Sequence, residues 1–315
     1  MGILNLLLRR LVSVVPVLIA VAAVAFVLLR LSAGDPASVL AGDNATPEAV
    51  AAIRAGLGLD QPLPIQFAHW FWNLLQGDLG NSIISGQPVA GLIAQRVGPT
   101  MAVALCTIVA SVLIGVPLGV LAAWRRDTWI DRLAMGLSVT GFAVPAFALG
   151  YLWIYLFSMQ LKLFPVQGYA PLSDGLGRFL LHLALPTLTL SFVYVALIAR
   201  VARASVLEVL SEDFVRTARA KGLPERIVIG RHALRNAAVP IVSIIGIGIA
   251  LLIGGVVVTE SVFNLPGLGR LTVESMLARD YPVIQGLIIV FAGVYVAINL
   301  LVDISYVFFD PRIRY

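Results

Sequence analysis

The chain has 315 residues, of which 59% are hydrophobic and only 12% charged. A water-soluble domain keeps about a quarter of its residues charged, so this composition excludes an ordinary soluble fold and points to a bilayer as solvent. The net charge of +5 does not indicate nucleic acid, because the basic residues fall between apolar runs and form no single soluble face.

In chain order, the first apolar run extends from Leu11 to Leu29, behind Arg9 and Arg10. A cleaved secretory signal has the same flanking charge but an apolar core of about 7–15 residues. The longer run here predicts a retained spanning helix. Residues 32–95 then form a long, more polar loop. Within it, Thr46 can cap a helix that has Pro47 at its first position, Glu48 at its positive end and Gly56 at its stop. A second short helix, from about Pro64 to Gln76, carries Phe67, Trp70, Phe71 and Trp72, aromatics suited to headgroup level.

Five more charge-free runs are long enough for a hydrocarbon core of about 30 Å. They lie between Arg96 and Arg125, Arg132 and Lys162, Arg178 and Arg200, Arg235 and Glu260, and Asp280 and Asp303. Lipid offers backbone groups no partners, and the runs lack the alternation of barrel strands, so the expected fold is an all-α membrane protein with six transmembrane helices. Pro117, Pro145 and Pro186 fall inside these runs and should weaken or kink their helices. Gly115 and Gly119 make a small face for close helix packing, and Gly246, Gly254 and Gly255 permit the same.

Orientation follows from Lys and Arg. Placing the N-terminus inside puts Arg9, Arg10, Arg125, Arg126, Arg132, Arg200, Arg203, Arg216, Arg219, Lys221, Arg226, Arg231, Arg235, Arg312 and Arg314 on the inner side, 15 of the 22 basic residues. Both termini are therefore expected in the cytoplasm. The whole chain, 1–315, reads as one transmembrane domain with an extracytoplasmic loop at 32–95 and a cytoplasmic loop at 200–239.

The inner loop has its own helix signals. Ser211 reads as an N-cap, Glu212 and Asp213 as first-turn acids, Gly222 as the stop and Pro224 as the start of the next helix. About ten helical residues would span roughly 15 Å. Phe214, Thr217, Ala218 and Lys221 fall at i, i+3, i+4 and i+7 and share one face, with Arg216 and Arg219 toward the other side. Such a capped rod is suited either to lying on the bilayer or to filling a partner's groove. Beyond it, the stretch from Glu260 to Tyr281 contains Phe263, Pro266, Gly267 and Arg270, which are expected to help close an outer mouth.

Signs of catalysis are lacking. The only lysines, Lys162 and Lys221, are not followed by Ser or Thr, so there is no GxxxxGK[ST] phosphate cradle. His69, His182 and His232 stand in no metal-binding spacing, the single Cys106 has no disulfide mate, and no serine sits in a nucleophile elbow. No catalytic, metal or cofactor site is expected in this chain.

The stretch Asp213-Phe-Val-Arg-Thr-Ala-Arg-Ala-Lys-Gly-Leu-Pro, followed by His232-Ala-Leu-Arg-Asn236 and Pro240, resembles the cytoplasmic loop of one family. That family is the binding-protein-dependent permeases of the dipeptide, oligopeptide and nickel class of ABC importers. Gly34-Asp-Pro, Leu57-Gly-Leu-Asp-Gln-Pro, Gly77-Asp-Leu-Gly, Pro266-Gly-Leu-Gly-Arg, Arg279-Asp-Tyr-Pro-Val-Ile-Gln, Asn299-Leu-Leu-Val-Asp and Asp310-Pro-Arg-Ile-Arg carry the likeness along the chain in order. The broader family's Glu-Ala-Ala-x-x-x-Gly signature reads here Arg216, Thr217, Ala218 and Gly222, the form of the peptide branch. The resemblance implies a type I ABC importer permease in a bacterial plasma (inner) membrane. Glu212, Asp213, Phe214, Arg216, Thr217, Ala218, Lys221 and Gly222 would couple it to an ATPase. It implies as partners a second permease subunit, two cytoplasmic ATPase subunits holding ATP and Mg, an extracytoplasmic solute-binding protein and membrane lipid, and no nucleic acid. Di- or oligopeptides are the expected cargo, with glutathione-like peptides and nickel chelates behind. A secondary carrier working alone is the rival reading.

Overall fold

The computed structural model describes residues 3–31, 36–41, 45–56 and 58–309. Gly34, Asp35, Leu57 and the stretch from Asp310 to Arg314, which carry part of the resemblance, lie outside them. The elements are helices: α1 Ile3–Leu31, α2 Pro36–Ala41, α3 Pro47–Gly56, α4 Leu63–Leu75, α5 Val89–Trp124, α6 Trp129–Ala143, α7 Ala146–Trp153, α8 Leu176–Leu210, α9 Asp213–Ala220, α10 Glu225–Ile227, α11 Leu234–Asn236, α12 Ala238–Val262, α13 Leu268–Ala278 and α14 Tyr281–Phe309. Four described segments are long and apolar enough to cross a membrane: Val89–Trp124, Leu176–Leu210, Ala238–Val262 and Tyr281–Ser305. The bent pair Trp129–Gly141 and Ala146–Gln160 makes a fifth if its halves act together. In α1 the apolar stretch with described side chains is Val12–Val27.

The third predicted run is thus broken. Val144, the residue before Pro145, is extended at φ −94° and ψ 124°, because the proline ring excludes the helical region for its predecessor. The halves meet at 105°. Past α7 the chain widens into a π-helical stretch, Ile154–Gln160. Pro117 and Pro186, in contrast, lie inside the continuous helices α5 and α8.

Contacts divide the chain into two compact units. One comprises Met1–Gly98 with Arg270–Val296. In it, Phe26 of α1 packs edge-on against Phe67 of α4, with ring centres 5.2 Å apart, and also meets Trp70. The capped helix α3 starts as expected, with the Ala49 amide donating to Thr46 Oγ1 at 3.3 Å. The buried carboxylate of Asp280 receives the Ser82 hydroxyl and, at 3.1 Å, the Ile83 amide. The loop before α5 is thereby tied to the start of α14.

The other unit comprises Pro99–Gly269 with Ala297–Tyr315. Helix α8 is its axis. A Cβ on Gly115 would lie 3.0 Å from Ile198 Cβ, and one on Gly119 would lie 2.5 Å from the Ala199 carbonyl oxygen. A Cβ on Gly141 would lie 2.8 Å from Ala196 Cβ. Glycine therefore lets α5 and α6 approach α8 backbone to backbone, the small-residue packing that the Gly115/Gly119 spacing predicts. The core between α5, α8 and α12 contains Val103, Leu183, Leu190, Leu252, Val256 and Phe263.

Candidate coupling site

Helix α8 runs well past the apolar run that ended at Arg200, and stops at Leu210. Ser211 belongs to that ending: its hydroxyl donates 2.6 Å to the Glu208 carbonyl. The expected N-cap at Ser211 is therefore corrected by one residue. Glu212, extended at φ −70° and ψ 149°, is the N-cap of α9 and makes no side-chain cap bond. Its charge and that of Asp213 still sit at the positive end of the helix.

The other end is closed by a Schellman motif. The Leu223 amide donates to Ala218 O at 3.3 Å and the Gly222 amide to Arg219 O at 2.9 Å. Gly222 supplies the required left-handed backbone at φ +77°, and Leu223 packs back toward Ala218. Alanine at Gly222 is expected to cost about 1 kcal/mol through that φ alone. The check is increased protease cutting between Lys221 and Glu225 in the folded protein.

The faces of α9 are unequal. Val215 and Ala218 are buried against Val228, with Val209, Leu210 and Leu223 around them. Phe214, Arg216, Thr217 and Lys221 are exposed, as are Glu212 and Asp213. Ala218 is accordingly corrected from the outward face to the inward one, since burial of its methyl against the chain's own core leaves it no room for a partner. Arg216 pairs with Asp213 at 3.1 Å and Arg219 with Glu225 at 2.7 Å, surface pairs of small energetic weight.

Val209 and Leu210 matter because they touch two clusters. Below α9 they meet Val215 and Ala218. Toward the long helices they join Ala202, Val206, Ala233, Ala237 and Ile241 of α8, the stretch before α12, and α12 itself. Close-packed side chains thus join α9 to the ends of both long helices. The connecting segment Val228–Ala233 is π-helical, a wider winding often found where helices carry function.

A second tie lies beside this cluster and was not marked by any motif. Arg203 of α8 grips Asp131 of α6 in a two-pronged pair, Nε to Oδ1 at 2.5 Å and Nη2 to Oδ2 at 2.7 Å. The Asp131 side chain is 5% exposed, and the Asp127 amide also donates to it at 3.0 Å. An acid on the first turn of a helix whose remaining residues, Arg132 apart, carry no charge is the available signal.

The residues expected at an outer mouth fall in both units. Phe263 is 2% exposed and packs in the core beside Gly150. Pro266 is exposed and Gly267 buried. Arg270 belongs to the other unit, where it pairs with Glu274 at 2.6 Å, as does Arg96 at 3.3 Å. What the sequence did not reveal is Glu260, fully buried at the end of α12. It accepts from Thr100 Oγ1 at 2.5 Å, and that hydroxyl accepts from the Leu268 amide at 2.8 Å. Among the described residues no three His, Cys, Asp or Glu side chains gather as a metal site would require.

Residues 115–315 match the family described as the binding-protein-dependent transport system inner membrane component, and residues 3–104 match its N-terminal companion. The chain belongs to that family. A probable peptide ABC transporter permease of Sinorhizobium fredii is 51% identical over 309 residues, 98% of this chain and 99% of its own. The glutathione transport system permease GsiC of Salmonella typhimurium is 45% identical over 312 residues, 99% of each chain. A putative peptide transport system permease of Brucella abortus is 45% identical over 310 residues, covering 98% of this chain and 99% of its own. In fold the chain is similar to the inward-facing MetNI methionine ABC transporter, with a TM-score of 0.60 and 17% identity over 70% of this chain and 97% of that one. It is also similar to an amino acid ABC transporter solved with histidines, with a TM-score of 0.51 and 17% identity over 71% of this chain and 95% of that one. The protein is thus a multi-pass inner-membrane permease subunit of an ABC importer.

Proposed function

We propose that this permease subunit carries di- or oligopeptides, glutathione included, with α1 completing six spans and both termini in the cytoplasm. Residues 32–95 then face a solute-binding protein outside, and residues 200–239 face two ATPase subunits that bind ATP and Mg. A second permease subunit shares the translocation path. Helix α9 docks on an ATPase subunit through Phe214, Arg216, Thr217 and Lys221, with Glu212 and Asp213 at its tip. The turn around Pro266 and Gly267 braces the outer mouth from inside the protein.

One observation supports the docking reading above the others: α9 exposes Phe214, 42% accessible, while its opposite face is locked to α8 and α12. An exposed phenylalanine between charged neighbours, on a helix fixed from behind, suits a groove in a partner. Peptide cargo rests on the relatives whose names specify peptides or glutathione.

The test is Phe214→Asp in the transporter expressed with its neighbouring subunits. Co-purification of the ATPase is expected to fall at least tenfold, about 1.4 kcal/mol or more of binding, and peptide uptake to fall with it, while the permease stays folded because Phe214 lies outside the buried cluster under α9. Wild-type ATPase recovery refutes the docking surface. Peptide uptake by liposomes holding this chain without ATPase refutes ATP-driven import and favours the solitary carrier.

A further inference from the structure

Helices α5, α8 and α12 border a small, half-open cavity lined by Thr107, Ser111, Tyr194, Ile245, Gly248 and Leu252 among others. Thr107 and Ser111 are 0% and 1% exposed. Their hydroxyl oxygens have no hydrogen-bond partner in the protein, whereas Thr189, Ser243 and Thr259 in these helices donate to the carbonyl four residues back; Thr187 and Ser191 of α8 are buried without a partner too, but do not line this cavity. A buried hydroxyl left unpaired is costly, and no competing water exists in the hydrocarbon region. Spaced i, i+4 on α5, the two side chains stand one turn apart, with Cβ atoms about 5–6 Å from each other. The centre of a water-sized sphere can move through about 10 Å³ of the cavity, which is about the room that one water needs.

We propose that this cavity binds a single ordered water bridging Thr107 and Ser111, so that α5 meets α8 and α12 through a wet polar joint within the membrane. The joint is distinct from the coupling loop and does not depend on which cargo is carried. It also explains why Gly248 lacks a side chain although space exists for one. A Cβ there would lie 3.5 Å from Tyr194 Cδ1 and 3.9 Å from Leu197 Cδ2, ordinary contact distances. The methyl's room is the water's room.

The test turns on a sign. In a dry cavity, Gly248→Ala fills a void and improves helix propensity, so it raises Tm. In a wet one it expels the water, strands both hydroxyls and lowers Tm, by on the order of 4 °C. The measurement is the Tm of the assembled transporter in detergent, for Gly248→Ala alone and in a background of Thr107→Val with Ser111→Ala. The expected result is a fall in the first case and a rise or no change in the second. A rise in both, no change in both, or an equal fall in both overturns the proposal. Should a variant fail to assemble, hydroxyl-radical labelling of Tyr194 decides. Labelling at least threefold lower in Thr107→Val/Ser111→Ala than in the natural protein supports the bound water, and any smaller difference overturns it.

Discussion

Glu260→Ala is expected to unfold the junction of α12 and α13, with a loss of about 3–5 kcal/mol, the range for breaking a buried charged or hydrogen-bonded partnership. The carboxylate is 0% exposed. Around it the chain is shaped to exclude other atoms: a Cβ on Gly267 would overlap the carboxylate itself, and one on Gly269 would overlap the Val257 backbone and reach to 3.0 Å from Glu260 Oε2. Thr100 Oγ1 links Glu260 to the Leu268 amide at the first turn of α13, so one side chain ties the end of α12 to the start of α13 and to the body of α5. Truncation would leave donors of Thr100 and its neighbours facing an apolar void, adding a cavity term to the lost bonds.

Three comparisons follow from the same geometry. Glu260→Gln keeps the volume and an acceptor oxygen for Thr100, so its loss is expected to be less than half that of alanine. Gly267→Ala and Gly269→Ala are each expected to cost about 1–3 kcal/mol by overpacking, Gly269 the more because its obstacle is backbone. The measurement is the thermal midpoint of the purified transporter, corroborated by the yield of detergent-soluble protein. Equal midpoints for Glu260→Ala and the natural chain would show that the carboxylate organises nothing.

What the sequence disclosed and what it withheld divide by range. Local signals were reliable. Thr46 caps α3, Gly222 and Pro224 end α9 and restart the chain, and Gly115 and Gly119 mark where α5 meets α8, because each depends on the conformation of a few neighbouring residues. The start of α9 was read one residue early, since Ser211 is an equally good last turn for a helix whose length past Arg200 the charge pattern concealed. The inward turn of Ala218 was missed for a related reason. At i+4 from Phe214 it lies at the edge of that face, and only the position of Val228, ten residues on, shows which side is core. Pro145, inside a run where a weakened or kinked helix is expected, breaks the span, whereas Pro117 and Pro186 lie inside continuous helices. Glu260 with Thr100, and Asp131 with Arg203, are 160 and 72 residues apart. Nothing in a single sequence aligns such partners, and Glu260 reads as the boundary of an apolar run while Asp131 stands just outside one.

The Asp131–Arg203 pair supports the second large expectation, one of coupling as much as stability. Arg203 lies on α8 one residue from Ala202, which belongs to the cluster that Val209 and Leu210 extend to α9. Asp131 lies on α6, whose continuation past Pro145 is bent away. The pair is the charged link between the helix packed against α9 and the helix that leads into the bent span. Removing Asp131 strands a guanidinium that is 24% exposed; solvent relieves part of the penalty, so Asp131→Ala is expected to cost about 2–3 kcal/mol, below the fully buried range. Arg203→Ala should cost a similar amount. Asp131→Ala with Arg203→Ala should cost clearly less than the sum, because neither charge is then left alone. In liposomes the single variants that assemble are expected to hydrolyse ATP with peptide uptake reduced at least tenfold, since they leave the proposed docking face of α9 intact and remove the link between α8 and α6. Additive losses in the double variant, or uptake that falls only in step with ATP hydrolysis, would reduce the pair to a structural brace.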